Sequence, residues 1–371
     1  MKIDKQNWKK VKFGDVAVQQ KDVVDIEATH LNRYIAGEHM DSEDIHLRKW
    51  GYIGNGYLGP AFIRKFEKGD VLYGSRRTYL KKIALADFEG ITANTTFVIK
   101  PNTKLIDHRL LPFLMLSEGF TKHSIENSKG SVNPYINWKD IANYEFFLPQ
   151  KEEQARLAEL LWAADEVVER ENEVVDKLKN IRMTLFENSF NKNNRQTKLG
   201  NCLCLKKEKS KAPHDLKNYI GLEHIVTGSY YTDFHGNSNS ALADNYVFKP
   251  GDILYSKLRP YLDKAVIATF EGVCTTELLV YNATEKTSSE YILNLLHSKD
   301  FLNYIVDKSY GTKMPRVSHE IVSDYTFFLP EMKEQEKILT ELTKIGKSLS
   351  DAEICMTQSQ QLKSSLINQI F

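Results

Sequence analysis

Two stretches of this chain carry arginine, lysine and tyrosine at equivalent positions, each directly after a short run of β-forming residues at 69–73 or 251–255. Arginine and lysine can hold a phosphate or bond to the edge of guanine, and tyrosine can stack on a base or contact the nucleic-acid backbone. The alternative is a solvated strand end with the tyrosines packed in the core. The candidate nucleic-acid contacts are Arg76, Arg77, Tyr79, Lys81, Lys257, Arg259 and Tyr261.

A glycine-containing turn near residue 130 also occurs twice, and both copies combine glycine with a hydroxyl and a cation. Glycine lets the backbone approach a phosphate closely, and a neighbouring hydroxyl and cation can complete such a contact. A plain turn is the alternative interpretation. The candidates in these turns are Lys129, Gly130, Ser131, Asn133, Gly311, Thr312, Lys313 and Arg316.

These coincidences belong to an internal repeat that runs through the whole chain. Residues 69–90 match residues 251–272 without a gap, at an offset of 182. Further along, residues 144–154 match 325–335 at an offset of 181, which holds to Phe190 and Phe371. The chain is therefore one structural unit written twice.

Each copy begins with a mixed segment of short β-rich runs, separated by Gly, Pro and Asn and followed by a helix. Differences between the copies are expected to carry different binding specificities. The predicted strands span residues 70–73, 82–86, 96–99, 252–255, 265–268 and 278–281, and the predicted helices span 109–117 and 289–296.

Each copy ends in a long helix after a Leu-Pro stop at Pro149 or Pro330. Apolar residues recur in alternating steps of four and three from Leu157 to Leu185 and from Ile338 to Leu366, which is a heptad seam. We expect the two helices to pair with each other, the alternative being that each lies on its own globular module. Connectivity makes the pair antiparallel, and a helix of this length extends about 60 Å at about 1.5 Å per residue. The predicted segments are a module at 1–149, a helix at 150–190, a linker at 191–196, a module at 197–330 and a helix at 331–371.

Charge is unevenly distributed although the formal net charge of the 371 residues is only +1. The first helical segment holds six Lys or Arg against ten Asp or Glu, so the globular segments are mildly basic, which is compatible with DNA binding. No apolar run is long enough to span a membrane, and the first residues lack the apolar region of a secretory signal. The four cysteines lack the spacing of a zinc site, so we expect reduced thiols in a cytoplasmic protein.

Three other patterns are weak evidence for a catalytic or metal site. Residues 54–59 fit Gly-x-Gly-x-x-Gly, but Pro60 follows and no βαβ unit surrounds them, so no nucleotide site is expected. Residues 133–135, Asn-Pro-Tyr, lack a proline of the adenine-methylase motif and have no glycine-rich cofactor strand. His30, His39 and His46 show no ligand spacing with carboxylates, so we expect no metal site.

The order of short motifs carries a family resemblance over essentially the whole chain. Gly-[Ser/Thr]-x-x-Pro, then Phe-Phe-Leu-Pro, then Glu-Gln and a long helix occur twice, together with the segments at 219–225 and 251–261. This pattern resembles the specificity subunit of type I restriction–modification systems. The resemblance implies an α+β fold with two target recognition domains, joined by two long antiparallel coiled-coil helices in a pseudo-two-fold repeat.

The resemblance also implies a function for each part. Each module would read one half of a split double-stranded DNA target, and the helix pair would set the number of unread base pairs. Two modification subunits, which carry S-adenosylmethionine and methylate adenine, would dock on the chain, and restriction subunits would join them to cut DNA. The chain itself would hold no cofactor or metal and catalyse nothing.

Other classes of function remain open from the residues alone. A self-sufficient methyltransferase or nuclease would need a cofactor loop or a cluster of metal-binding carboxylates, and the sequence offers neither. An interaction scaffold whose modules bind protein, or a specificity module of a related DNA-modification defence system, are further alternatives.

Overall fold

A computed structural model describes residues 5–26, 28–190, 195–232, 234–241 and 243–371 of the chain. The chain divides into two compact units, Met1–Asn172 with Ile354–Phe371 and Glu173–Glu353, called unit 1 and unit 2 below. Each unit contains one module and part of each long helix. No described helix is both long and apolar enough to cross a membrane.

The module of unit 1 is built from ten short strands and four short helices, followed by the first long helix. Its strands are β1 Lys9–Lys12, β2 Ala17–Gln20, β3 Arg33–Ile35, β4 Gly51–Tyr52, β5 Phe62–Phe66, β6 Val71–Gly74, β7 Ile83–Leu85, β8 Gly90–Ala93, β9 Thr96–Pro101 and β10 Glu145–Leu148. Its helices are α1 Phe13–Val16, α2 Leu111–Leu116, α3 Glu118–Glu126, α4 Trp138–Ala142 and the long α5 Lys151–Asn188.

Unit 2 repeats this series with eleven strands among its described residues, and a turn of 3-10 helix, Leu199–Asn201, replaces the first short helix. Its strands are β11 Arg195–Lys198, β12 Leu203–Lys206, β13 Lys209–Ser210, β14 Asn218–Ile220, β15 Gly236–Asn237, β16 Asn245–Phe248, β17 Ile253–Ser256, β18 Ala265–Ile267, β19 Gly272–Cys274, β20 Leu278–Ala283 and β21 Thr326–Leu329. Its helices are α6 Ser289–Leu296, α7 Lys299–Lys308, α8 His319–Asp324 and the long α9 Met332–Ile370.

The sheets of the two modules have matching strand orders, except that the second sheet of unit 2 has an additional edge strand, β13. A four-stranded antiparallel sheet runs β2-β9-β6-β7 in unit 1 and β12-β20-β17-β18 in unit 2. A second sheet, β4-β3-β8-β5 or β13-β16-β19-β14-β15, contains one parallel pair, β3 with β8 or β14 with β19. A two-stranded ribbon, β1 with β10 or β11 with β21, leads into the long helix.

Strand β6, one of the two central strands of the first sheet in unit 1, is apolar because both of its faces are covered. In β6, Val71 and Tyr73 join the core under the short helices, whereas Leu72 points to the core between the sheets. Ile253 and Tyr255 of β17 occupy the matching core in unit 2. Burial raises the pKa of Tyr73 to about 12, so its hydroxyl stays protonated.

A buried glutamine fixes the start of each long helix to its module, which explains the repeated Glu-Gln motif. The Gln154 side-chain amide donates to the carbonyls of Leu105 and Pro149 at 2.9 Å, and its oxygen accepts from the Asp107 amide. Gln335 donates in the same way to the Lys286 and Pro330 carbonyls, at 3.0 and 2.9 Å. Both glutamines are 1% exposed, so these bonds replace those lost to water.

The two long helices pair, as the heptad seam predicts. In unit 1, Leu157 and Leu161 of α5 share a core with Ile367 and Ile370 of α9, and in unit 2 Phe186 packs in one core with Leu342. The start of α5 therefore packs with the end of α9, and the end of α5 packs with the first part of α9. The two helices are antiparallel. The ends of the heptad seam also pack in the cores of the modules. Each long helix therefore both pairs with the other long helix and packs against a globular module.

The predicted elements agree with the fold to within a few residues. The helix predicted at 289–296 has those bounds, while the one predicted at 109–117 is a turn of 3-10 helix, His108–Leu110, followed by α2. The predicted linker at 191–196 lies partly outside the described residues. Its last two residues, Arg195 and Gln196, are not linker but the start of β11, where they pair with Leu329 and Phe328.

Candidate nucleic-acid interface

The first predicted loop of unit 1 is a single turn of 3-10 helix, Thr78–Leu80, between two residues in the left-handed region. Arg77 has φ of 51° and Lys81 has φ of 46°. A side chain in this region is strained, and such strain is concentrated at functional positions. The turn projects the Tyr79 side chain, which is 53% exposed, away from the core.

The second predicted loop of unit 1 lies against the first. Lys129 and Tyr135 exchange backbone hydrogen bonds of 2.8 and 2.9 Å across the turn, in which Gly130 has φ of +88°. The Arg77 amide donates to the Pro134 carbonyl at 2.7 Å, and the Ile136 amide donates to the Ser75 carbonyl at 2.9 Å. The backbone therefore holds the two candidate loops together as one surface.

Unit 2 builds the same pair of loops from different side chains. Arg259 has φ of 51° and donates its amide to the Pro315 carbonyl at 2.7 Å, while Gly311 has φ of +93°. Tyr310 and Arg316 exchange backbone hydrogen bonds of 3.0 and 2.8 Å across the turn. The backbone geometry is thus common to both copies, and the side chains differ.

Carboxylates already neutralise three of the predicted cations. Lys81 pairs with Glu43 at 2.8 Å and Lys129 with Asp140 at 3.5 Å. Arg316 reaches both oxygens of Glu277 at 3.4 Å, in a two-pronged contact that fixes its guanidinium. The pKa of Asp140 is held below its usual value, first by the Asn137 side chain and then by Lys129.

Five other predicted cations have no carboxylate within salt-bridge distance in the described part of the chain. Their charges are therefore available to an external anion such as a DNA phosphate. They are Arg76, Arg77, Lys257, Arg259 and Lys313.

The remaining predicted residues lie in the same two surfaces. Gly130, Ser131, Asn133, Gly311 and Thr312 are exposed in the turns, and Tyr261 is 54% exposed in the counterpart of the Tyr79 turn. The alternative that Tyr79 and Tyr261 pack in the core is therefore wrong. Tyr310 opens the second candidate turn in the sequence, whereas Tyr135 was not among the candidates. Both close their turns by backbone hydrogen bonds, and Tyr135 and Tyr310 are 43% and 55% exposed.

His46, one of the three histidines without ligand spacing in the sequence, contacts carboxylates in the fold. Nε2 of His46 lies 2.8 Å from the buried Asp165 carboxylate, a partner 119 residues away that no local spacing indicates. Asp44, His46 and Glu169 also bring potential ligand atoms within 4.8 Å of one another. The Arg48 guanidinium contacts both Asp44 and Glu169, at 2.8 and 2.6 Å, so this cluster is an ion-pair network.

The glycine motif at 54–59 is a turn and opens no helix, as expected. Gly54 and Gly56 have φ of +99° and +133°, and the motif is followed by strand β5. All four cysteines are free, with Cys202 and Cys274 buried and Cys204 and Cys355 exposed.

Comparison with known proteins supports the same conclusion as the repeat. The family model described as type I restriction modification DNA specificity domain matches residues 5–180 and again residues 192–357. The chain is 26% identical over 298 residues to the type I restriction enzyme EcoDI specificity subunit of Escherichia coli, covering 67% of this chain and 65% of that one. It is 22% identical to the MjaVIII specificity subunit of Methanocaldococcus jannaschii, covering 98% and 92%.

Solved structures share the fold at low sequence identity. A chain from a structure of complex assembly and conformational transition of the type I R-M system matches with a TM-score of 0.57 at 18% identity, over 98% of this chain and 97% of that one. The S subunit of the type I restriction–modification system from M. genitalium matches with a TM-score of 0.50 at 13% identity, over 100% and 98%. Because the family model covers both copies of the repeat, this chain belongs to the family of type I restriction–modification DNA specificity subunits, the non-catalytic members of these systems.

Proposed function

We propose that each module reads one half of a bipartite double-stranded DNA target through its pair of loops. The observation that carries this proposal is the duplicated loop pair, in which an Arg77 or Arg259 amide ties one loop to the other at 2.7 Å. Both arginine side chains are exposed and without a carboxylate partner among the described residues. The loops share a backbone geometry but carry different side chains. This combination suits two modules that bind DNA in the same orientation and recognise different sequences.

The charges divide the loop residues by role. Arg77 and Arg259 can contact a phosphate or the O6 and N7 atoms of guanine with two donors. Arg316 and Lys129, already paired with carboxylates, position the turns. Tyr79 and Tyr261 present rings that can stack on a sugar or base, since more than half of each side chain is exposed.

Membership of the family supports a proposal for the partners. The chain serves as the platform on which two modification subunits and the restriction subunits assemble, with S-adenosylmethionine bound in the modification subunits. Adenine methylation in both half-sites is the expected product of the complex. The modules are mildly basic and the helices are acidic, which suits DNA binding by the modules and protein binding by the helices.

Substitution of the loop arginines tests the reading of DNA. We expect Arg77→Gln and Arg259→Gln each to weaken duplex binding by the complex by about ten- to a hundredfold, the effect of losing one base contact. If the contact is to phosphate, the salt dependence of binding falls by about one unit of slope. Binding is measured by fluorescence anisotropy over a range of salt concentrations.

Arg170→Gln is the matched control, because Arg170 is an exposed arginine on α5, 74% accessible and paired with Glu166. It should bind as the wild type does. Mapping methylated adenines genome-wide should show the Arg77 variant relaxed at one half-site and the Arg259 variant at the other. Wild-type affinity and target in both variants would refute the loop assignment.

The length of the long helices is expected to set the spacer between the half-sites. Both are uninterrupted, over 38 and 39 residues, and neither contains proline. Deleting the equivalent heptads 171–177 and 352–358 shortens each helix by about 10 Å, or about three base pairs of duplex. The methylated site should keep both half-sites and change its spacer, and an unchanged spacer would contradict this role.

A further inference from the structure

A cavity of about 870 Å³ lies in unit 2 between residues 179–186 of α5, residues 342–353 of α9 and the loop at 226–231. Its volume falls within the range of about 300–1,000 Å³ that small-molecule sites occupy. Arg182, Tyr230 and His297 line it, together with Lys179 and Lys347. The Tyr230 ring contacts both of the others: its centroid lies 3.5 Å from the guanidinium carbon of Arg182 and 4.8 Å from the centroid of the His297 ring, which is tilted by 53°.

Among the described residues, Arg182 has no carboxylate within salt-bridge distance. The two carboxylates in the cavity lining form ion pairs with other residues. Asp263 pairs with His297 at 2.7 Å, and Glu353 pairs with Lys179 at 3.2 Å. Nη2 of Arg182 donates a long hydrogen bond of 3.5 Å to the neutral Oδ1 of Asn294. Nε of Arg182 is buried and has no hydrogen-bond partner among the described residues.

His297 provides a second unpartnered group in the same lining. The residue is 7% exposed, and its Nδ1 atom is held by Asp263. Its Nε2 atom is buried and bonds to nothing in the part of the chain that the structure describes. A buried polar atom without a partner is costly, so both groups need a partner that the described residues do not supply.

The repeat places a carboxylate in unit 1 at the position where unit 2 has a glycine. At an offset of 181, Arg182 corresponds to Lys363 and Gly346 corresponds to Asp165. In unit 1 the buried Asp165 carboxylate lies 3.0 Å from the Lys363 ammonium and neutralises it. In unit 2 a Cβ atom at Gly346 would lie 3.6 Å from Nη1 of Arg182, so a carboxylate on it would reach the guanidinium.

We propose that this cavity binds a small organic anion, whose carboxylate or phosphate meets Arg182 where unit 1 has the Asp165 carboxylate. The planar guanidinium offers a fork of donors that matches both oxyanions. Because Asp263 accepts from Nδ1 of His297, Nε2 donates to the ligand only in the doubly protonated ring. The Tyr230 stack fixes the guanidinium plane in advance. The body of the ligand occupies the rest of the cavity, which is much larger than one oxyanion.

Isothermal titration calorimetry on the full chain tests this site, with acetate, inorganic phosphate and adenosine monophosphate as probes. Saturable binding of one probe to the wild type is the expected result. Gly346→Asp supplies an internal carboxylate and should weaken that binding by about tenfold or more, since the ligand loses its charged partner. Gly346→Asn is the matched control, because it has the same size without the charge and should retain binding.

The probes also distinguish the two sources of the oxyanion, since acetate tests a carboxylate alone and the other two a phosphate. Arg182→Gln provides an independent variant and should also abolish binding, with its melting temperature checking that it folds. Binding of no probe by the wild type, or equal binding by wild type and Gly346→Asp, would overturn the proposal. Displacement of the anion by duplex DNA would assign the cavity to the DNA interface instead and would overturn it too.

Discussion

The two units hold equivalent parts of the long helices together by different means. In unit 1 the buried carboxylate of Asp165 bonds to His46 of the module at 2.8 Å and to Lys363 of α9 at 3.0 Å. In unit 2 the equivalent position is Gly346, and the equivalent cation, Arg182, stacks on Tyr230 instead. The repeat therefore retains the helix contact and the cation, while the counter-charge differs.

The candidate loops show the opposite pattern. Their backbone bonds and left-handed residues recur in both units almost unchanged, at Arg77 and Arg259 and at Gly130 and Gly311. Backbone geometry is thus duplicated where DNA is proposed to bind, whereas side-chain chemistry has diverged where the helices meet the modules. The two candidate loop pairs therefore share a backbone shape, whereas the two helix contacts share a cation and differ in its partner.

Removing the buried carboxylate of unit 1 should have the largest effect. Asp165→Ala leaves Lys363 and His46 without their partner in a site where the carboxylate is 2% exposed, and breaking such a buried pair costs about 3–5 kcal/mol. All four tryptophans, Trp8, Trp50, Trp138 and Trp162, lie in unit 1, so denaturant unfolding followed by tryptophan fluorescence reports this unit alone.

Glu166→Ala is the control for this variant, since Glu166 neighbours Asp165 but is 62% exposed. It should shift the unfolding midpoint little. If Asp165→Ala unfolds at the same denaturant concentration as Glu166→Ala, the carboxylate does not hold the unit 1 contact, and the contrast with Gly346 loses its basis.

The pH dependence of unit 1 should show a smaller effect of the same network. The hydrogen bond to Asp165, opposed by burial, raises the pKa of His46, which Glu169 and Asp44 also face. Burial raises the pKa of Asp165, but the bonds from His46 and Lys363 outweigh it and hold the pKa below its usual value. His46 therefore stabilises the fold fully below its unfolded pKa, and this contribution is lost as pH rises through its folded pKa.

The measurement is the melting temperature by tryptophan fluorescence for wild type and His46→Gln. The difference between them should be larger at about pH 6 than at about pH 8.5, given an ordinary histidine pKa of about 6.5. The Asp165 contribution is lost only in acid, so it does not mask this trend. An equal difference at both pH values would show that the ion pair does not form.

The turn glycines should show the smallest difference between the units. A left-handed conformation costs a non-glycine residue about 1–2 kcal/mol, so Gly130→Ala and Gly311→Ala are both destabilising. Gly311→Ala should cost more, because its Cβ would lie 3.3 Å from the Met314 carbonyl, against 3.8 Å from Asn133 at Gly130. Calorimetric unfolding measures both, and a larger loss for Gly130→Ala would show that this contact is not limiting.

Much of the fold follows from local patterns in the chain. The heptad seam predicts the buried side of α5 and α9, where Leu157 and Leu161 are 6% and 0% exposed. Short apolar runs predict the central strands to within a residue, as at Val71–Gly74. The joining of the two loops by the Arg77 amide was not predictable, because a backbone hydrogen bond to Pro134 leaves no trace in residue type.

The sequence by itself determined the duplication, the long helices and the basic glycine-containing loops, because these depend on periodicity and on residue types at fixed spacing. Only the tertiary structure decided which charges are neutralised and which remain available. Lys363 finds Asp165 and Arg182 meets Gly346 because antiparallel helices bring together positions far apart in the chain. Charge pairing depends on distances between side chains in space, and the order of residues does not contain those distances.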